Sequence, residues 1–87
     1  MRSRATERFW QALRGLPEPV QRQARASFRM FERNPFHPGL QFKQVDSGRH
    51  IWSVRVGIGY RAMGIREESG GITWFWIGSH ADYDKLA

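Results

Sequence analysis

The sequence predicts a single α+β domain over residues 1–87, an N-terminal helical hairpin packed on a four-stranded antiparallel sheet. Three observations predict it. Apolar residues keep a 3.6-residue period as far as Arg33 and a two-residue period from Leu40 onward. A Pro-Phe-His-Pro-Gly loop at residues 35–39 separates the two regimes. The second half is cut by short separators of hairpin length, Ser47–Arg49, Gly57–Gly59 and Glu67–Gly71. Helices followed by a run of strands make an α+β domain.

Residues 1–15 read as a short helix, because Ala5, Phe9, Leu13 and Leu16 form one apolar stripe and Gly15 is placed to end it. Pro17 and Pro19 stand where the first turn of a second helix tolerates proline. Val20, Ala24, Ser27, Phe28 and Phe31 continue the period, with Arg22, Arg25, Arg29 and Arg33 on the opposite side. That arginine side reads as a solvated face, with a nucleic-acid role as its alternative. Asn34-Pro35 stops the helix, since proline pushes the preceding residue out of the α region. Leu40–Asp46, His50–Val56, Tyr60–Arg66 and Ile72–Ile77 then read as four strands in a meander.

Composition narrows the function. Eighty-seven residues hold one core, and four Trp, six Phe and two Tyr are enough to fill it. With no cysteine, disulfide staples and thiolate metal sites are excluded, which fits a reducing compartment. No run is long enough for a membrane span and no secretory signal opens the chain, so a cytoplasmic location is expected. The net charge is +6, and 12 of the 14 basic residues are arginine. Arginine forks suit phosphate, so a polyanionic partner is favoured, either nucleic acid or an acidic protein.

Loop lengths set the registers. Pairing Val56 with Tyr60 puts Arg55 opposite Arg61, Val54 opposite Ala62 and Trp52 opposite Gly64. Pairing Arg66 with Ile72 puts Gly64 opposite Trp74 and Ala62 opposite Trp76. One face then carries Leu40, Phe42, Trp52, Val54, Trp74 and Trp76 and should receive the helices. The other carries Gln41, Lys43, Arg55 and Arg61 toward one end and Val45, Ile51, Met63, Ile65 and Phe75 toward the other. Like charges directly opposite each other are unfavourable, so Arg55 and Arg61 are expected to share an anion; splaying into water is the alternative.

The segment Trp74-Phe-Trp-Ile-Gly-Ser-His-Ala-Asp-Tyr83 delivers polar chemistry at the end of an apolar strand. Its exit lies beside Tyr60 and Arg61, so His80 should emerge at the arginine end of the sheet. A histidine to move protons, arginines for phosphorane charge and a tyrosine suit attack of a ribose 2′-hydroxyl on the adjacent phosphate. A satisfied surface histidine is the plainer reading of His80. The sequence calls for no metal or other cofactor: His37, His50 and His80 lack ligand spacing, and Gly57-x-Gly59 is a hairpin turn.

Five stretches together resemble the RelE/ParE superfamily of toxins from bacterial type II toxin–antitoxin pairs. They are Leu16-Pro17, Asn34-Pro-Phe-His-Pro-Gly-Leu-Gln-Phe-Lys43, Trp52-Ser-Val-Arg55, Gly59-Tyr-Arg61 and Trp76-Ile-Gly-Ser-His-Ala-Asp-Tyr83. The resemblance implies a microbial-RNase-like α+β fold and a cognate antitoxin. In its RelE branch it implies ribosome-dependent cleavage of mRNA. It makes Arg61 the arginine that stabilises the transition-state phosphate and His80 the general base, with Tyr83 near the family's C-terminal tyrosine. Family members begin with a strand ahead of the first helix. Residues 1–8 read as helical or frayed here, so that strand is expected to be missing. Trp52 and Val54 stand where RelE has two lysines, so Lys43 and Arg55 would have to supply the charge.

The leading expectation is therefore a metal-independent endoribonuclease that inhibits translation. His80, Arg61, Arg55 and Tyr83 are its catalytic group, and Lys43, Arg55 and Arg61 bind mRNA. The antitoxin would cover Ile51, Met63, Ile65 and Phe75. Two alternatives stay open: a ParE-like toxin that binds DNA gyrase, and a degenerate member that only binds antitoxin or RNA. Substitutions of Arg61 or His80 are expected to cost the fold no more than about 1 kcal/mol, both lying at element ends.

Overall fold

The computed structural model describes residues 1–86. The order is β1 (Ser3–Ala5), α1 (Glu7–Arg14), α2 (Glu18–Arg33), a 3₁₀ turn (Pro38–Leu40), β2 (Lys43–Asp46), β3 (Ile51–Val56), β4 (Tyr60–Arg66), β5 (Ile72–Ser79) and α3 (His80–Leu86). The sheet has five strands in the order β1-β5-β4-β3-β2, with β1 parallel to β5 and the other pairs antiparallel.

The fifth strand corrects the four-strand expectation and restores the strand thought missing. Three residues carry no readable alternation, and what holds them is tertiary. Ile72 N–H donates to the Arg2 carbonyl at 3.0 Å, Thr6 N–H to the Trp74 carbonyl at 3.0 Å, and the Trp74 indole to Ser3 Oγ at 2.7 Å. Thr6 then caps α1 by accepting from Phe9 N–H at 3.1 Å, so the helix starts after the strand rather than within it.

The helical hairpin covers one sheet face. Phe9, Leu13, Ala24 and Phe31 meet Leu40, Val54, Val56, Ala62, Ile72, Trp74 and Ile77 in the main core. Trp74 is its centre, 5.2 Å from both the Phe28 and Phe31 rings. Gly64 makes room for it, since a Cβ there would lie 2.8 Å from Trp74 Cε3.

The β3–β4 register runs as read from the sequence, from Val56 opposite Tyr60 to Trp52 opposite Gly64. The β4–β5 register starts as read, with Arg66 opposite Ile72 and Gly64 opposite Trp74. It then shifts at a bulge between Met63 and Gly64. Phe75 has no opposite residue, Met63 pairs with Trp76 and Ala62 with Ile77. One extra residue exchanges the two faces beyond it. Trp76, expected in the main core, therefore packs on the open face with Ile51, Met63, Phe75 and Tyr83, and Ile77 takes its place inside.

Candidate functional site at the end of the open sheet face

The site is built where β3 and β5 end and β4 begins. Arg61, opposite Arg55 on one side and Gly78 on the other, is only 4% exposed. Its Nη2 donates to the Gln41 carbonyl at 3.1 Å and to Ser53 Oγ at 2.9 Å, and its Nη1 reaches Gln41 Oε1 at 3.4 Å. Among the described residues Nε finds no acceptor. Gln41 turns its carbonyl toward the guanidinium from a left-handed backbone, φ 46°, a conformation that costs a non-glycine residue energy.

Tyr83 closes the cluster from above. It is the buried residue of α3, its hydroxyl donates to Ser53 Oγ at 3.4 Å, and its ring centre lies 5.3 Å from Arg61 Cζ. Burial pushes the Arg61 pKa below its ordinary value, with Tyr83 opposing and Arg55 adding to the shift. An arginine stays charged through such a shift, so the pocket holds a desolvated cation.

His80 opens α3 at the edge of this cluster. Its N–H donates to the Gly59 carbonyl at 2.7 Å, which fixes the helix start to the β3–β4 turn, and Ser79 Oγ accepts from Asp82 N–H at 3.1 Å. The imidazole is 56% exposed, 5.9 Å from the Tyr83 ring, with Nε2 3.6 Å from Asp84 Oδ2. Arg55 is half-buried and donates Nε to the Gly57 carbonyl at 2.8 Å. Lys43 is exposed on β2, paired with Ser53. Lys43 and Arg55 stand on neighbouring strands, one spacing of about 4.8 Å apart, with β4 between them and the β5 end.

The structure thus brings Arg61 and Tyr83 into contact, sets His80 beside them, and leaves Arg55 and Lys43 on the flank. Arg55 and Arg61 are opposite as expected, but each guanidinium is engaged by its own neighbours. Ser53 and Gln41 are the residues sequence reasoning gave no role. Ser53 shares its parity with Ile51 and Arg55, and a serine on a strand face beside an arginine was the signal available. Gln41 was on the right face, but its left-handed turn was not readable.

Farther along the same face, Val45, Ile51, Met63, Phe75 and Trp76 line an apolar groove of about 630 Å³ flanked by Arg8 and by the ion pair of Asp46 and Arg49. Ile51 and Met63 are its buried floor, each 8% exposed, and Phe75 is half-buried. Ile65, 45% exposed, stands outside it. Among the described residues no three His, Asp or Glu side chains gather as ligands for a metal ion, and no helix is long and apolar enough to cross a membrane.

The sequence profile of the ParE-like toxin domain matches residues 18–85. The chain belongs to that family. The ParE-like domain shares its fold with solved toxins. Over 97% of this chain and 99% of the other it superposes, with a TM-score of 0.73 and 14% identity, on a chain of the RelB–RelE antitoxin–toxin complex from Methanococcus jannaschii. The YoeB/ParE toxin from Agrobacterium tumefaciens gives 0.69 at 14% identity, over 92% of this chain and 99% of that one. The isolated E. coli RelE toxin gives 0.68 at 12% identity, over 98% and 94%. No curated protein matches the sequence.

Proposed function

We propose that this ParE-like domain is the toxin of a type II toxin–antitoxin pair, acting as a metal-independent endoribonuclease on ribosome-bound mRNA. The observation that supports this best is the exposed His80 imidazole at the strand end, backed by the Arg61–Ser53–Tyr83 cluster. His80 takes the proton of the 2′-hydroxyl as that oxygen attacks the adjacent phosphorus, and the 5′-oxygen leaves with a proton from an acid, Tyr83 or a water. Arg55 and Lys43 hold the flanking phosphates. Arg61 meets the phosphorane when Gln41 is exchanged for a phosphate oxygen, an exchange eased by the long 3.4 Å contact to Gln41 Oε1. Such a site has modest intrinsic power, and positioning of the 2′-hydroxyl by the ribosome supplies much of the rate. In the RelB–RelE complexes the toxin is solved with its antitoxin, which supports a cognate antitoxin here.

A second reading rests on the sequestration of Arg61. If Gln41 and Ser53 keep that guanidinium in place, the domain is a binding toxin of the ParE kind, with DNA gyrase as target. Mapping mRNA 5′ ends in a cell-free translation system separates the two. Cleavage on translating ribosomes, none of naked RNA, and loss of cleavage in His80→Ala are expected. Intact mRNA with inhibited DNA supercoiling selects the second reading instead.

A further inference from the structure

On the side of the molecule away from His80, the helical hairpin presents a slot that the proposed activity does not use. It has a volume of about 330 Å³ and lies between α1, α2 and the β1 edge. Phe9, Trp10, Phe28 and Trp74 form its walls, and Arg4, Arg25 and Arg29 its rim, against the single acid Glu32. Trp10 stands edge-on to Phe9 at 5.6 Å and leaves 44% of its surface in solvent. The rim arginines are exposed, and among the described residues Arg4, Arg25, Arg29 and Arg33 pair with no carboxylate; Arg14 and Arg22 do, with Glu7 and Glu18.

The arginines form a row. Arg22, Arg25, Arg29 and Arg33 are spaced three or four residues apart on α2, so at 1.5 Å per residue they span about 16 Å along one side of the helix. Three of the four, Arg25, Arg29 and Arg33, pair with no carboxylate among the described residues, and a line of such guanidinium groups beside an exposed indole at the mouth of an aromatic slot has the make-up of single-strand nucleic-acid sites: cations follow the backbone and a π-face receives a base. The charge balance favours phosphate over an isolated acidic side chain, because the row offers several forks in succession against Glu32 in the slot and Glu18 on Arg22.

We infer that this face is a second nucleic-acid site, binding single-stranded phosphate backbone along α2 with one base against Trp10. It gives the toxin a grip on the side opposite its proposed working end, so one side holds nucleic acid while the other stays free for chemistry or antitoxin. The test reads binding rather than cleavage, so it is independent of whether the protein cuts RNA.

The experiment is fluorescence anisotropy with labelled decamer oligouridylate, repeated with the matching DNA oligomer and with an acidic peptide bearing one tryptophan. It compares wild type, the double variant Arg25→Ala/Arg29→Ala, and Trp10→Ala, across a salt series. In the double variant affinity should fall roughly tenfold, and the slope of log K against log salt should shrink by about 1.4, at about 0.7 per lost phosphate contact. Trp10→Ala should weaken binding severalfold and leave the slope unchanged, the signature of lost stacking. RNA preferred over DNA, or the reverse, identifies the source of the backbone, and either supports the site. An unchanged slope in the double variant would show that phosphates are held elsewhere and overturn the inference. Absence of nucleic-acid binding overturns it too, and peptide binding lost in Trp10→Ala would make the slot a protein surface.

Discussion

Arg61 and Tyr83 meet on one serine: Ser53 Oγ accepts from the guanidinium at 2.9 Å and from the phenol at 3.4 Å, while the two side chains lie 5.3 Å apart centre to ring. The hydroxyl of Ser53 is the joint between β3, β4 and α3, and it is fully buried. Ser53→Ala removes one acceptor from two buried donors, which costs about 1–3 kcal/mol. At roughly 4–8 °C per kcal/mol for a domain of this size, Tm should drop by at least about 4 °C. Thermal unfolding checks it; a shift under a degree would mean water replaces the serine easily.

Arg61 is a larger case. Its place at a strand start suggests a cheap substitution, but its guanidinium is buried and bonded to two residues 8 and 20 positions away. Arg61→Ala should cost about 2–3 kcal/mol, well above the sequence expectation, because the Gln41 carbonyl and Ser53 lose a charged donor. His80→Ala, at an exposed position, should stay within about 0.5 kcal/mol. Urea unfolding of the two variants gives the comparison directly. Toxicity of Arg61→Ala therefore bears on chemistry only if the variant is folded, whereas His80→Ala gives a clean readout: full toxicity in it removes the nuclease reading.

Much of this site was legible in the sequence. The Arg55–Arg61 pairing followed from a three-residue hairpin loop, and the arrival of His80 beside it from counting along β4 and β5. What sequence reasoning missed has local physical causes. Strand β1 is held by bonds from β5 residues as far as 71 positions away and has no pattern of its own. The bulge at Phe75 depends on how Trp74 packs over Gly64, a shape that alternation does not encode. The α3 helix was invisible because its seven residues carry one buried side chain, Tyr83, too little for a period.

The bulge makes its own prediction. At Gly64 a Cβ would lie 2.8 Å from Trp74 Cε3, 2.9 Å from Ile72 Cγ1 and 3.0 Å from the Thr73 carbonyl oxygen. The last is backbone and cannot swing away. Gly64→Ala should therefore destabilise by about 1–3 kcal/mol through overpacking, although alanine is normally better than glycine in a strand. A variant as stable as wild type in denaturant would show that β5 slides to relieve the contact.

Acid should act through Asp46. The side-chain hydrogen bond from Arg49, 2.7 Å from Nε to Oδ2, is the largest cause holding this carboxyl below its ordinary range. A depressed folded-state pKa stabilises the fold above the unfolded value, and that contribution is lost as pH falls through the folded one. Asp46→Asn should flatten the acid limb of a plot of urea midpoint against pH. An unchanged limb would assign acid sensitivity to other carboxylates.

The apolar groove on the open face tests the proposed antitoxin. Ile51 and Met63 form its floor, Phe75 its half-buried wall, and Arg8 flanks it together with the Asp46–Arg49 ion pair. Patches of this kind usually mark a binding surface. An antitoxin segment with apolar anchors and acidic residues fits both features, and the +6 charge would make its association fast and salt-sensitive. Phe75→Asp puts a carboxylate where an anchor would dock, and it also strains the packing of Phe75 against Met63 and Ile51, so its fold must be verified. Ile65→Asp, at a 45% exposed position outside the groove, is the companion that the fold should tolerate. Binding of the neighbouring gene's product, measured by titration calorimetry, should weaken at least tenfold, about 1.4 kcal/mol, in folded Phe75→Asp and less in Ile65→Asp. Equal affinities in wild type and both variants would mean the antitoxin leaves this face bare, and the groove would then need a different occupant.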